Sequence, residues 1–102
     1  MLPLIEAHRP EIAELCRRFH VRRLDVFGSA ARGTDFDPVR SDIDLLVSYL
    51  PEHHPGLADY FDFQEALEDL LGRKVDLIMD GTVENPFVLA GIERSRQPLY
   101  GS

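Results

Sequence analysis

The chain has little sulfur and no indole: one cysteine, two methionines and no tryptophan among 102 residues. A lone cysteine, Cys16, cannot form an internal disulfide, which excludes a disulfide-stapled scaffold and suits a reducing cytoplasm. No apolar run approaches the roughly 18 residues needed to cross a bilayer, so no membrane association is expected. MLPLIEAHRP, at the start, has no basic segment leading into an apolar stretch, and no secretory signal is expected. Repeats, low-complexity segments and linkers are missing as well. Positive charge is scarce: 11 basic against 18 acidic side chains leave a formal charge of −7. Broad, salt-driven nucleic-acid binding needs a positive face, so extended binding of that kind is not expected. Arg17, Arg18, Arg22 and Arg23 do cluster, and read as solvated charge beside a helix C-terminus.

What remains is the composition of a soluble globular protein, 44% apolar and 28% charged, with a length that suits one domain over residues 1–102. PEIAELCRRF reads as a helix, with Pro10 in its first turn and Ile12, Leu15, Cys16 and Phe19 at helical spacing; residues 3–8 add a preceding turn. VRRLDVF is a strand that runs straight into Gly28. SAARG forms a short helical turn, TDFDPVR a polar loop, and SDIDLLVSY a second strand. After the break PEHHPG, LADYFDFQEALEDLL carries Leu57, Tyr60, Phe61, Gln64, Leu67, Leu70 and Leu71 as an amphipathic helix closed by Gly72. KVDLIM is a third strand. Asn85 and Pro86 start a final short helix, FVLAGIER, and the tail QPLYGS has room for one more strand. This order predicts an α/β (α+β) fold, a small mixed sheet of three to four strands with helices packed on it.

Two stretches do not serve a core. FGSAARG places a Gly-Ser turn after the first strand, and SDIDLLV puts two aspartates into the second, where aspartate is disfavoured. Alternation sets Asp42 and Asp44 on one face, while Ile43, Leu45 and Val47 face the core. Carboxylates this close repel, and a divalent cation between them reverses the sign of the interaction. Hard oxygen ligands favour magnesium or manganese over zinc. Asp76, alone in KVDLIM, joins them if its strand lies beside SDIDLLV. Three converging carboxylates suit two metal ions acting on a phosphoryl group. Gly28 leaves room for a phosphate near the backbone, N–H groups at the start of SAARG bind an anion, and Ser29 adds a hydroxyl. Arg32 has two readings, a phosphate ligand or a partner for one of the acids.

GSAARG, SDIDLLV and a later strand with a single Asp together resemble the nucleotidyltransferase superfamily related to DNA polymerase beta. The closest likeness is to the minimal nucleotidyltransferases, small proteins often encoded beside HEPN toxins, and it runs from the first helix to PLYG. The resemblance implies a triphosphate-binding turn at Gly28 and Ser29, with Arg32 and Ser41 nearby, and two-metal ligands at Asp42 and Asp44. It implies that Asp76 is the third acid, near the attacking hydroxyl. The activity implied is magnesium-dependent transfer of AMP from ATP to a hydroxyl, most simply a tyrosine of a HEPN toxin, by an antitoxin of the MntA type. Larger relatives use additional domains to hold the acceptor; here the motifs consume the chain, which suits a partner protein as acceptor. Two rivals stand: a non-catalytic antitoxin that only covers its partner, and an enzyme for a small-molecule acceptor such as an aminoglycoside. Homo- and hetero-oligomers both remain open. Asp35 and Asp37 read as solvated loop residues, His53 and His54 as loop residues, and Cys16 as a buried inert thiol. Tyr60, Phe61 and Phe63 read as core, and Tyr100 as either tail packing or a partner contact.

Overall fold

Two prolines set the N-terminal helices, since a first-turn position has no use for the N–H that proline lacks. Pro3 opens α1 (Pro3–Ala7) and Pro10 lies in the first turn of α2 (Arg9–Arg18). The chain continues through β1 (Val21–Phe27), α3 (Ser29–Arg32), β2 (Ile43–Tyr49), α4 (Leu57–Leu71), β3 (Val75–Met79), α5 (Pro86–Ser95) and β4 (Gln97–Tyr100). This computed structural model describes residues 1–33, 42–52 and 54–101. The loop aspartates Asp35 and Asp37, together with Ser41 and His53, lie outside the described residues. No described helix is long and apolar enough to cross a membrane.

The strands form one mixed sheet in the order β3-β2-β1-β4. β1 runs antiparallel to both β2 and β4, whereas β2 and β3 are parallel. Parallel neighbours need a long crossover, and α4 supplies it. One face of the sheet carries the main core. There Leu24, Val26, Ile43, Leu45, Val47, Val75 and Leu77 meet Ile5, Ile12 and Cys16 from the first two helices and Phe63, Leu67 and Leu71 from α4. On the opposite face a smaller cluster of Phe27, Leu46 and Ile92 holds α5 down, with Ile78 and Val83 alongside. The sheet is thus covered on both faces, but unequally.

Two expectations need correction. Spacing placed Leu57 and Phe61 on the apolar face of α4, yet they are 73% and 54% exposed. Phe63 is buried instead, against Phe19 at 5.3 Å between ring centroids. At 100° per residue Phe61 lies on the far side of the helix from Phe63, and the stripe Phe63, Leu67, Leu71 is the one that meets the sheet. The arginine cluster is also not uniformly solvated. Arg17, Arg18 and Arg22 are exposed as expected, but Arg23 is drawn in to the buried Asp25 at 3.0 Å. Cys16 is buried as expected, and burial pushes its thiol up to about 12. Tyr100 packs against the main core.

Candidate active site

The site grows from the end of β1. Gly28 has φ 69° and ψ −151°, a conformation essentially reserved for glycine. A second constraint acts on the same residue: a Cβ there would stand 2.9 Å from Oδ2 of Asp44. The turn therefore lies against a carboxylate that a side chain at position 28 would push aside, and the positive φ favours glycine there in any case. Sheet register explains how Asp44 comes to be there. Phe27 is the cross-strand partner of Asp44, and Asp44 is in turn the partner of Asp76 on β3. Neighbouring strands lie about 4.8 Å apart, so the two aspartates stand side by side on the α5 face.

Their electrostatics carry the imprint of that crowding. The Asp44 carboxyl is pushed up to about 6, first by burial, then by the negative charges of Asp76 and Asp42 and by a hydrogen bond with Asp76. Asp42 and Asp44 are half-buried and Asp76 is exposed. The structure thus brings Gly28, Asp42, Asp44 and Asp76 together. Among the described residues, no three or more His, Cys, Asp or Glu side chains are closed around a common point tightly enough to hold an ion as they stand. The acids converge; they are not yet a closed cage.

Ser29 and Arg32 are the first and last residues of α3, the former partly buried and the latter exposed. The Gly28 carbonyl accepts from the N–H groups of Ala31 and Arg32, both at 3.1 Å. Among the described residues the N–H groups of Ser29 and Ala30 meet no acceptor. The Gly28 N–H, by contrast, is engaged: it donates to Oγ of Ser95 at 2.9 Å.

That bond belongs to an arrangement the sequence reading missed. Ser95 and Arg96 close α5, and Arg96 Nε donates to Oδ2 of Asp25. Asp25 is the single charged side chain fully buried among the described residues, and Arg23 serves its carboxylate from the other side. Burial opposes the charge on Arg96, but hydrogen bonds to Asp25, Glu93 and Asp80 raise its pKa and keep it protonated. A signal for Asp25 existed. It is an aspartate inside an apolar strand, the same anomaly that marks Asp44 and Asp76. Nothing in the sequence pointed to Ser95.

The chain and its fold are similar to those of known proteins. Residues 10–99 match the family described as Nucleotidyltransferase domain. The chain is 39% identical over 82 residues to the protein adenylyltransferase MntA of Thermococcus cleftensis, covering 80% of this chain and 76% of that one. It is 34% identical to a solved structure provisionally described as a minimal nucleotidyltransferase, with a TM-score of 0.72 over 91% of this chain and 90% of the other. A structure described as a tri-AMPylated Shewanella oneidensis HEPN toxin in complex with MNT antitoxin shares the fold. Its TM-score is 0.67 at 17% identity, over 96% of this chain and 73% of that one.

Proposed function

The chain belongs to the nucleotidyltransferase domain family, in its minimal form, and from that premise we propose that it transfers AMP from ATP to a hydroxyl of a partner protein. The observation that carries this reading is the register line Phe27–Asp44–Asp76, with Gly28 pressed against Asp44. It sets an anion-binding turn beside clustered carboxylates, the juxtaposition that phosphoryl transfer requires.

The donor set is all hard oxygen and fits magnesium, or manganese, better than a softer metal. Asp42, Asp44 and Asp76 would hold two such ions. When bound, they supply charge neutralisation for the phosphates and acidify the acceptor hydroxyl. The chain's own groups do the rest. The N–H groups of Ser29 and Ala30 and the Ser29 hydroxyl bind the β- and γ-phosphates, with Ser41 and Arg32 assigned to the same triphosphate. Gly28 leaves that approach open. Asp76, the most exposed of the acids and on an edge strand, faces the incoming acceptor. The acceptor oxygen bonds to the α-phosphorus, the bond from that phosphorus to the bridging oxygen breaks, pyrophosphate leaves, and the hydroxyl proton passes to solvent.

For the acceptor we assign a tyrosine of a HEPN toxin, which makes this chain an antitoxin acting in the cytoplasm as a single domain. Support comes from the relative named a protein adenylyltransferase and from the structural neighbour crystallised with a HEPN toxin. The test is to incubate the chain with ATP, magnesium and a candidate HEPN toxin. The toxin should gain the mass of an adenylyl group on a tyrosine and stay inactive after this protein is removed. The Asp42→Asn, Asp44→Asn double variant should bind the toxin yet leave no lasting inhibition. Full neutralisation by that variant, with no mass added, would establish a covering antitoxin instead.

A further inference from the structure

We infer that Ser95, at the end of α5, is a positioning residue for the triphosphate-binding turn, 67 residues away in the chain. The inference rests on the reading of the Gly28–Ser29 turn given above. An amide N–H can only donate, so Ser95 Oγ must accept from Gly28 at 2.9 Å. The hydroxyl has one proton, and the better placed of two carbonyls to receive it is that of Gly91 at 3.2 Å, with Ile92 at 3.5 Å. The result is a directed chain from the Gly28 N–H through the Ser95 hydroxyl into the α5 backbone, in which each bond polarises the next.

This chain fixes what the turn can do. Gly28 is the one residue of the turn free to rotate widely, because it has no side chain to restrict φ and ψ. Its carbonyl is held by Ala31 and Arg32 and its N–H by Ser95, so both of its peptide planes are pinned. The Ser29 and Ala30 N–H groups then share one fixed direction. Asp44 lies against the same residue, so a shift of Gly28 would also disturb the nearest carboxylate. Arg96, the next residue, fastens the same end of α5 to β1 through Asp25, and thereby keeps Ser95 within reach of the turn.

The experiment compares wild type, Ser95→Ala and Ser95→Thr, each titrated with ATP in excess magnesium without acceptor, alongside amide hydrogen exchange. Ser95→Ala should weaken ATP binding about threefold to tenfold, the range of one neutral hydrogen bond. The Gly28 amide should exchange about threefold to tenfold faster for the same reason, while the Leu24 and Val26 amides hold their rates. Ser95→Thr keeps the hydroxyl and should restore both quantities. A general loss of stability would instead move all three amides together. ATP binding within twofold of wild type in Ser95→Ala, or a Thr variant as weak as the Ala variant, overturns the positioning role alone. Failure of wild type itself to bind ATP with magnesium overturns the assignment of the turn, and the positioning role falls with it.

Discussion

Asp44 is held where a carboxylate is costly. Its pKa of about 6 in the folded chain stands above the ordinary 3.8, from burial and from the neighbouring Asp76 and Asp42. An acid whose pKa rises on folding binds its proton more tightly in the native state. Its contribution to stability is therefore full below about pH 4 and is lost as the pH climbs through about 6. Asp44→Asn removes that dependence without removing packing. Without divalent ions, the thermal midpoint of wild type should fall more steeply from pH 4 to pH 6.5 than that of Asp44→Asn. At pH 7 the variant should be at least as stable. Millimolar magnesium should raise the wild-type midpoint at pH 7 and leave the variant's nearly unchanged. A variant clearly less stable than wild type at pH 7 without metal would show that the carboxylate braces the fold. The buried Asp25 makes the contrast, for it lies between two guanidinium groups. One aspartate is neutralised by the protein; the other stands among carboxylates of its own sign.

α5 has little burial to rely on: of its ten residues Ile92 alone is buried, while Phe87 and Val88 are 85% and 52% exposed. Its ends do the anchoring. Asn85 accepts from the N–H groups of Phe87 and Val88 at 2.9 and 3.3 Å, and at the other end Ser95 accepts from Gly28 while Arg96 binds Asp25 of β1. Asn85→Ala should cost about 1 kcal/mol, the usual worth of such a cap. In a domain of this size that lowers the thermal midpoint by about 4–8 °C, readable in a melting curve. Asn85 also shows why the elements were legible from the sequence: caps, prolines and alternation are local, and each helix and strand follows from residues within a few positions of it. The acids were legible for the same reason, since Asp42 and Asp44 share a strand and Asp76 stands alone among apolar neighbours. What escaped was set by partners far along the chain. The burial of Asp25 depends on Arg96, 71 residues later, and the role of Ser95 depends on Gly28. The choice of Phe63 over Phe61 depends on which side of α4 meets the sheet. Periodicity counts the apolar residues of a helix, but it does not say which neighbour they will find.

For the molecule as a whole, the sheet edges say where a partner can engage. On β3 the outward Val75 N–H donates to Glu68, the Val75 carbonyl accepts from Gln64, and the Leu77 carbonyl accepts from the Tyr60 hydroxyl. On β4, Pro98 has no N–H to offer. Edges occupied in this way discourage strand addition, so under the proposed function an acceptor would meet the open part of the α5 face, where the acids stand. That face belongs to a chain of net charge −7, and ATP arrives with negative charge of its own. Long-range repulsion therefore opposes the bare nucleotide, whereas magnesium ions held by Asp42, Asp44 and Asp76 would turn the same carboxylates into an attraction. A ligand that binds only the native state stabilises it by mass action, about 2.7 kcal/mol at one hundred times its Kd. ATP with magnesium at that excess should accordingly raise the thermal midpoint by about 10–20 °C. ATP in excess chelator should barely move it, and magnesium alone should give a smaller rise than the two together. The shift with both ligands should shrink in the Asp42→Asn, Asp44→Asn variant, because the nucleotide is then left facing the chain's negative charge without the ions that mask it. Equal shifts with and without chelator would mean that the nucleotide binds away from the carboxylates, on some other part of the surface.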